Sequence, residues 1–410
     1  MTSSAAAVAT ADRRARGAVV SVFALNGFLA AMWVAHIPVI VDRTGVSEDQ
    51  LGALLLLLGG CAFVGMQLCG PIIDRWGSKP ITVIAAVLLS SVILGPVLAD
   101  DLVTLAAALA AFGFANGALD VSMNAQAVAV ERRYRRPIMS SFHGFFSVGS
   151  LIGSGVVAVT LWLDVGVIPT VAVAAVVGLV VAGAVSRYLL VTVIGEPAAA
   201  SLPGVATGRW WHGIDRRRLI VLAAVAFALM LAEGTAYDWS ALHVVETFGT
   251  AESIGAVAFG AFSAAMTVAR FVIDPIAAAV GPMVVVRVGA LIGLAGMSLA
   301  VVAPSAGWAI VGWTVFGVGL AGLIPQIFTA AGNLTENSSG RAISLVVGCG
   351  YLGMLAGPAV VGFISSRTSL SIGLLAAVVA LTFAALAAGV VRAPAERHGS
   401  AAARHDTLEG

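Results

Sequence analysis

"LVTLAAALAAFGFANGALDVSMNAQAVAV", residues Leu102 to Val130, carries a single charged side chain, Asp120. A run this apolar and this long exceeds the roughly 20 residues that span a bilayer as a helix. Similar runs fill the rest of the chain, at about 17–41, 49–70, 80–99, 137–161, 165–190, 218–242, 253–275, 281–303, 307–331, 341–363 and 370–392. None alternates with a period of two, and all are too long for barrel strands. The composition agrees: 60% of the 410 residues are hydrophobic and 10% are charged. A soluble protein of this size needs more polar residues to cover its surface. The expected fold is an all-α membrane protein with twelve transmembrane helices.

Charge placement orients the chain. With the N-terminus inside, all but two of the 22 basic residues fall on the cytoplasmic side, Arg270 among them, and only Arg43 and Arg367 fall outside. The positive-inside rule then predicts a multi-pass protein of the cell (inner) membrane with both termini cytoplasmic. Its parts are a tail at 1–16, a helical half at 17–190, a linker at 191–217, a second half at 218–392 and a tail at 393–410. A cleaved signal peptide is the competing reading of the N-terminus, but the apolar stretch is too long and no small-residue cleavage site follows.

Chemistry-bearing motifs are few. Cys61, Cys69 and Cys349 show no CxxC spacing and no clustered His, so they read as packing residues rather than metal ligands. "GVGLAG" at 317–322 matches a dinucleotide pattern, yet it lies in an apolar span with no preceding strand, where close helix packing explains it better. "GSK" at 77–79 lacks the rest of a P-loop, and neither HExxH nor GxSxG occurs. No enzyme activity, cofactor, metal or nucleic-acid partner is expected, and the chain is expected to be a monomer in the bilayer.

The two halves resemble each other. "GPIIDRWGSK" closes the second span and "RFVIDPIAAAVG" the eighth, with Asp74 and Asp274 200 positions apart. "SVGSLIG" at 147–153 matches "YLGMLAG" at 351–357, and Trp33 and Trp239 sit near the ends of the first and seventh spans. Such duplication predicts two pseudo-symmetric six-helix bundles with a solute site near the membrane midplane.

Through the motif G-x-x-x-D-R-x-G-x-K, here Gly70, Asp74, Arg75, Gly77 and Lys79, the chain resembles the major facilitator superfamily over essentially its full length. The resemblance implies that this loop is a cytoplasmic conformational latch whose acid and basic residues hold the halves together in an outward-open state. The second copy departs from the motif, with Arg270 in place of glycine and Pro275 in place of arginine, which predicts a weaker latch there.

Polar residues inside the apolar runs mark candidate sites. Asn116, Asp120 and Asn124 recur every four residues and form one stripe on the fourth helix. Asp120 lies eleven residues from Glu131, roughly 16 Å at 1.5 Å per residue, near the midplane of a roughly 30 Å core. A charge there costs on the order of 2.5–3.5 kcal/mol, so it should face a cavity or a partner. A structural hydrogen bond between helices is the alternative. "LDVSMNAQ" resembles the fourth-helix stretch of the fucose:proton symporter branch, which implies that Asp120 takes up the coupling proton and that Asn124 contacts sugar. That branch also has an acid near the end of its first helix, and here "MWVAHIPV" has none.

Glu233 in the seventh span is the replacement acid, sharing a face with Tyr237 and Ser240; helix packing against a hydroxyl is its alternative. His143, on a face of the fifth span with Ser147 and Ser150, is the third proton-coupling candidate, since histidine titrates near neutral pH. It reads equally as a neutral core histidine. Asn26 and Trp33 share a face of the first helix, and Gln326, Tyr351 and Gln67 are further candidates to line the cavity.

The leading function is a proton-coupled secondary transporter of a small polar solute, with sugars the class implied by the resemblance. A carboxylate with amides also suits sodium. A drug or metabolite efflux antiporter is the alternative; the glycine-proline motif usual in the fifth helix of such antiporters is missing, and its nearest likeness, "GMLAGPAVVG", lies in the eleventh. A transporter-like sensor is the third reading; such a protein is expected to carry an extra soluble domain, and both tails here are short.

Overall fold

The computed structural model describes residues 2–191, 215–334 and 339–392. The linker read at 191–217 falls almost wholly outside these residues, and the tail read at 393–410 falls outside them. The first six spans are built from α1 (Thr2–Thr44), α2 (Glu48–Trp76), α3 (Ser78–Val92), α4 (Leu94–Leu98), α5 (Leu102–Tyr134), α6 (Met139–Trp162) and α7 (Val167–Ser186). The rest are built from α8 (Arg216–Phe248), α9 (Glu252–Val280), α10 (Pro282–Val302), α11 (Ala306–Leu320), α12 (Leu323–Gly332), α13 (Ser339–Ser365), α14 (Leu370–Gly373) and α15 (Leu375–Ala387). Among the described residues, 12 helical segments are long and apolar enough to cross a membrane. The expected all-α twelve-span fold is the observed one. Three spans are jointed, at α3–α4, α11–α12 and α14–α15.

The chain forms two compact units: Met1–His212 with Thr335–Tyr351, and Gly213–Leu334 with Leu352–Gly410. The first half of α13 thus belongs to the first unit. Its attachment to α2 is direct. Ser344 Oγ donates to the Met66 carbonyl at 2.7 Å, and Gln67 Nε2 donates to the Ser344 carbonyl at 3.0 Å. Gln67, read as a cavity residue, is therefore engaged in joining α2 to α13.

The repeat is visible as packing. In the first unit a Cβ on Gly149 or Gly153 of α6 would strike the α1 backbone at Ala24 or Phe28. In the second, a Cβ on Gly353 or Gly357 of α13 would strike the α8 backbone at Phe227 or Leu231. Small residues let membrane helices approach this closely, and dispersion between the backbones then stabilises the crossing.

Backbone geometry fixes the register of the repeat. Gly77 (φ 82, ψ 163) ends α2 and opens α3, and Gly281 (φ 82, ψ 158) ends α9 and opens α10 in the same conformation. A side chain at this φ would be strained, so glycine is required at both joints. Gly77 and Gly281 are 204 positions apart, as are Gly149 and Gly353, Gly113 and Gly317, and the in-helix prolines Pro71 and Pro275. This corrects the match of Asp74 to Asp274 at 200. In the true register Asp274 stands opposite Gly70, Arg270 opposite Met66, and Ala278 opposite Asp74. The second copy has no acid at the position of Asp74.

A second correction follows. Arg270, counted with the basic residues of the cytoplasmic side, is 7% exposed and lies within the span Val257–Val280. Ten residues separate it from the end of α9, roughly 15 Å along the axis. By contrast, the two arginines set apart by the charge bias have local work. Arg43 Nη2 donates to the Pro96 and Ala99 carbonyls at 3.1 and 2.9 Å, at the end of α4. Arg367 donates to the Phe363 carbonyl at 3.0 Å and stacks 3.7 Å from the Phe363 ring centroid. Both place a cation on carbonyls at the negative end of a helix.

Candidate functional site

Two polar clusters lie within the spans, one in each unit. In the first unit, Asp120 is 5% exposed on α5, and Asn124, one turn on, is fully buried. Asn124 Nδ2 donates to the Asp120 main-chain carbonyl at 2.8 Å and to Asp120 Oδ1 at 3.4 Å. Those donations fix which way the Asn124 amide points. Tyr351, on the half of α13 that belongs to this unit, hydrogen-bonds the Asp120 carboxyl. Asp120 Oδ2 is buried and has no hydrogen-bond partner among the described residues. The same holds for the Oδ1 atoms of Asn26, Asn116 and Asn124. Asn26, on α1, is placed against α5 by a 3.7 Å contact from Nδ2 to Met123 Sδ. The unpartnered atoms of this cluster are all oxygens that accept. Left unmade, each such bond costs about 1–3 kcal/mol, so the cluster is chemically prepared for a ligand that donates.

The neighbouring candidates are placed as follows. Trp33 is buried in α1. His143 packs its ring edge-on to Phe23 with centroids 5.2 Å apart, and Ser147 Oγ donates to the His143 carbonyl at 3.3 Å. Ser150 Oγ donates across to the Gly27 carbonyl at 3.1 Å, tying α6 to α1.

In the second unit, Glu233 Oε1 of α8 and Arg270 Nη2 of α9 form an ion pair at 3.2 Å, with the two side chains 9% and 8% exposed. Tyr237, one turn from Glu233, stands within electrostatic reach of both charges and packs edge-on to Phe262 at 5.7 Å. Gln326 is 3% exposed in α12, just past the break at Ala321–Gly322, and its Nε2 has no partner among the described residues. Ser240, on the face shared with Glu233, is buried with an unpartnered Oγ. Glu233 therefore has a cation for a partner, where helix packing against a hydroxyl had been the competing expectation.

The residues expected to form a latch divide. Asp74 Oδ1 accepts from the Gly340 N–H at 2.7 Å, and Oδ2 accepts from the Arg341 N–H at 3.2 Å, with Arg341 Nε 3.7 Å away. The carboxylate thus sits on the first turn of α13, where the free N–H groups and the helix dipole favour an anion. Gly70 is required by the same approach, since a Cβ there would lie 2.6 Å from the Ser344 Cβ. Arg75 and Lys79, expected to share in the latch, make no ion pair among the described residues. The cation beside Asp74 is Arg341.

Sequence reasoning missed Arg341, Arg270 and Glu131. Glu131 Oε2 accepts from the N–H groups of Ile138 and Met139, both at 2.8 Å, and caps α6. Arg270 shares its apolar run with Asp274, one turn on, so the rule that singled out Asp120, a lone charge in an apolar run, does not mark it. Nothing local in the sequence marks Arg341 or Glu131, whose partners lie across a helix crossing or a turn.

Known proteins bear on this arrangement. A family model described as Major Facilitator Superfamily matches residues 17–338. An uncharacterised MFS-type transporter of Yersinia pestis is 34% identical over 371 residues, covering 90% of this chain and 94% of the relative. The membrane protein MosC of Rhizobium meliloti is 28% identical over 361 residues, covering 87% and 85%. Among solved structures, the E. coli fucose:proton symporter FucP superposes with a TM-score of 0.74 at 14% identity, covering 92% of this chain and 98% of its own. The human organic anion transporter MFSD10 superposes with a TM-score of 0.71 at 14% identity, covering 93% and 99%. With the family model spanning most of the twelve helices, the chain belongs to the Major Facilitator Superfamily and is a multi-pass membrane transporter.

Proposed function

We propose that this transporter moves a small polar, hydroxyl-rich solute by alternating access, coupled to protons through Asp120, with both termini cytoplasmic. The observation that carries the reading is the buried, unpartnered Oδ2 of Asp120 beside the unpartnered oxygens of Asn26, Asn116 and Asn124. A carboxyl oxygen with no donor is a place for a proton, and amide oxygens with no donor are places for solute hydroxyls. Tyr351, bonded to Asp120, links proton occupancy to the position of α13. Glu233 is the second coupling group: protonating it removes the charge that it sets 3.2 Å from Arg270. His143 is a third, and Ser147, Trp33, Tyr237 and Gln326 are lower-ranked contacts. The likeness to FucP, a fucose:proton symporter, supports the sugar class and the proton. Asp74, with its bonds to α13, acts as the conformational latch, and its neighbours Gly70 and Gly77 allow the close approach and the tight joint.

The test is uptake of labelled sugars and polyols into vesicles holding the purified protein. An imposed inward proton gradient should drive accumulation of at least one of them, and a sodium gradient without a pH difference should not. Accumulation driven by sodium alone overturns proton coupling, and proton-driven extrusion of amphipathic drugs without sugar uptake favours the efflux alternative.

A further inference from the structure

The first unit carries a second feature, separate from the Asp120 cluster. A groove of about 610 Å³ runs between the start of α3 and the end of α7. Its head is basic, with Lys79 in the first turn of α3 and Arg187 at the end of α7. Its walls are apolar: Trp76 is 60% exposed, Ile84 61% and Val191 67%, with Val83 beside them. No acidic residue lines it. Lys79 is half-buried and has no hydrogen-bond or ion-pair partner among the described residues. Arg187 rests over the Tyr188 ring, 4.8 Å from its centroid.

The order of these groups matches an amphiphile. Val83 and Ile84 lie four and five residues beyond Lys79, roughly 6–8 Å further along α3. A phosphate held by Lys79 and Arg187 at the membrane interface would leave acyl chains running down Val83 and Ile84. Exposed tryptophan belongs at that boundary. The two cations without a nearby acid favour a headgroup of net negative charge, since a choline or ethanolamine would bring a positive group with nothing to meet it. Large exposed apolar walls in turn favour a lipid over a soluble anion, which would leave them uncovered. The volume falls within the range of built small-molecule sites.

We propose that the Lys79–Arg187 groove binds one anionic glycerophospholipid, such as phosphatidylglycerol, at the arginine-rich end of the first unit. Native mass spectrometry of the purified full-length protein tests this, after incubation with equimolar phosphatidylglycerol and phosphatidylcholine of equal chain length. The wild type should retain one phosphatidylglycerol with a preference of about tenfold over phosphatidylcholine. K79Q/R187Q should bring that preference to within about twofold, while K79R/R187K, which keeps both charges, should preserve it. Melting curves of each variant in the same detergent check that the fold is intact, and the single variants K79Q and R187Q carry the test if the double variant does not fold. Equal retention of both lipids by the wild type, or an unchanged preference in the glutamine variants, overturns the proposal. So does loss of the retained lipid on adding millimolar inorganic phosphate, which would make the groove a site for free anions.

Discussion

Glu233 and Arg270 meet at 3.2 Å inside the second unit, each side chain less than a tenth exposed. An ion pair at this depth costs desolvation of both charges, and it is tolerable only while both partners are present. Removing one leaves the other buried without this counter-charge, and breaking a buried pair in this way costs on the order of 3–5 kcal/mol. Removing both charges together leaves no such residue. Melting of the detergent-purified protein should therefore show large losses for E233Q and for R270Q, and a smaller loss for E233Q/R270Q than for either single variant. Strictly additive losses would show that the two side chains do not depend on each other.

The packing glycines give a contrast within one residue type. A Cβ on Gly149 would strike the backbone of α1 at Ala24, whereas one on Gly183 meets nothing within 4 Å. Gly149→Val should separate α6 from α1 and lower the yield of folded protein, with an overpacking cost of at least about 1–3 kcal/mol. Gly353→Val should do the same between α13 and α8, where the clash is with Phe227. Gly183→Ala should be neutral or stabilising by about 0.5–1 kcal/mol, because alanine loses less backbone freedom in a helix. Monodisperse yield on size exclusion checks all three, and a well-folded G149V would refute the close-approach account.

The sequence made the spans legible because a bilayer imposes one demand on every helix, about 20 apolar residues, and the chain meets it twelve times. Asp120 was legible for the same reason, as an exception to that demand. The register of the repeat was legible only in part: the match of 147–153 to 351–357 gives an offset of 204. Two aspartates in similar-looking motifs suggested an offset of 200, while the joints at Gly77 and Gly281 impose 204, one helical turn more. A residue's identity is a weaker marker of equivalence than a backbone conformation that only glycine adopts readily. Arg270 was misplaced by the same slip, since a match to Gly70 put it near the helix end instead of a turn deeper. The Asp74–Arg341 contact spans 267 positions and leaves no local pattern to read.

Asp74 binds the first turn of α13 through two backbone N–H groups and lies 3.7 Å from Arg341. Hydrogen bonds to a charged group contribute about 1.5–3 kcal/mol, which corresponds to roughly 10- to 150-fold in an equilibrium constant. If these bonds set the balance between transport states, Asp74→Ala should slow transport by about tenfold or more while solute affinity changes little. Arg341→Gln should have a smaller effect, because the two N–H bonds remain. Equal loss of binding and transport in purified D74A would remove the latch role.

Asp120 is the sharpest test of coupling. Its Oδ1 receives Asn124 and its carboxyl is bonded by Tyr351, but Oδ2 is buried with no partner among the described residues. A buried ionised oxygen without a donor is costly, and a proton on that oxygen removes the charge at the point where nothing else compensates it. The two protonation states thus differ strongly in how well they tolerate burial, which is what a proton carrier needs as access alternates. Asp120→Asn keeps the size and the acceptor for Tyr351 while holding the site permanently uncharged. Exchange of solute between the two sides of a vesicle at equilibrium should survive in D120N, because it requires movement of the loaded carrier and no net proton flux. Accumulation against a solute gradient should fall to background, and solute addition should no longer make the medium alkaline. If D120N accumulates solute at the wild-type rate, Asp120 is a structural hydrogen-bonding residue, and the proton is carried by Glu233 or His143.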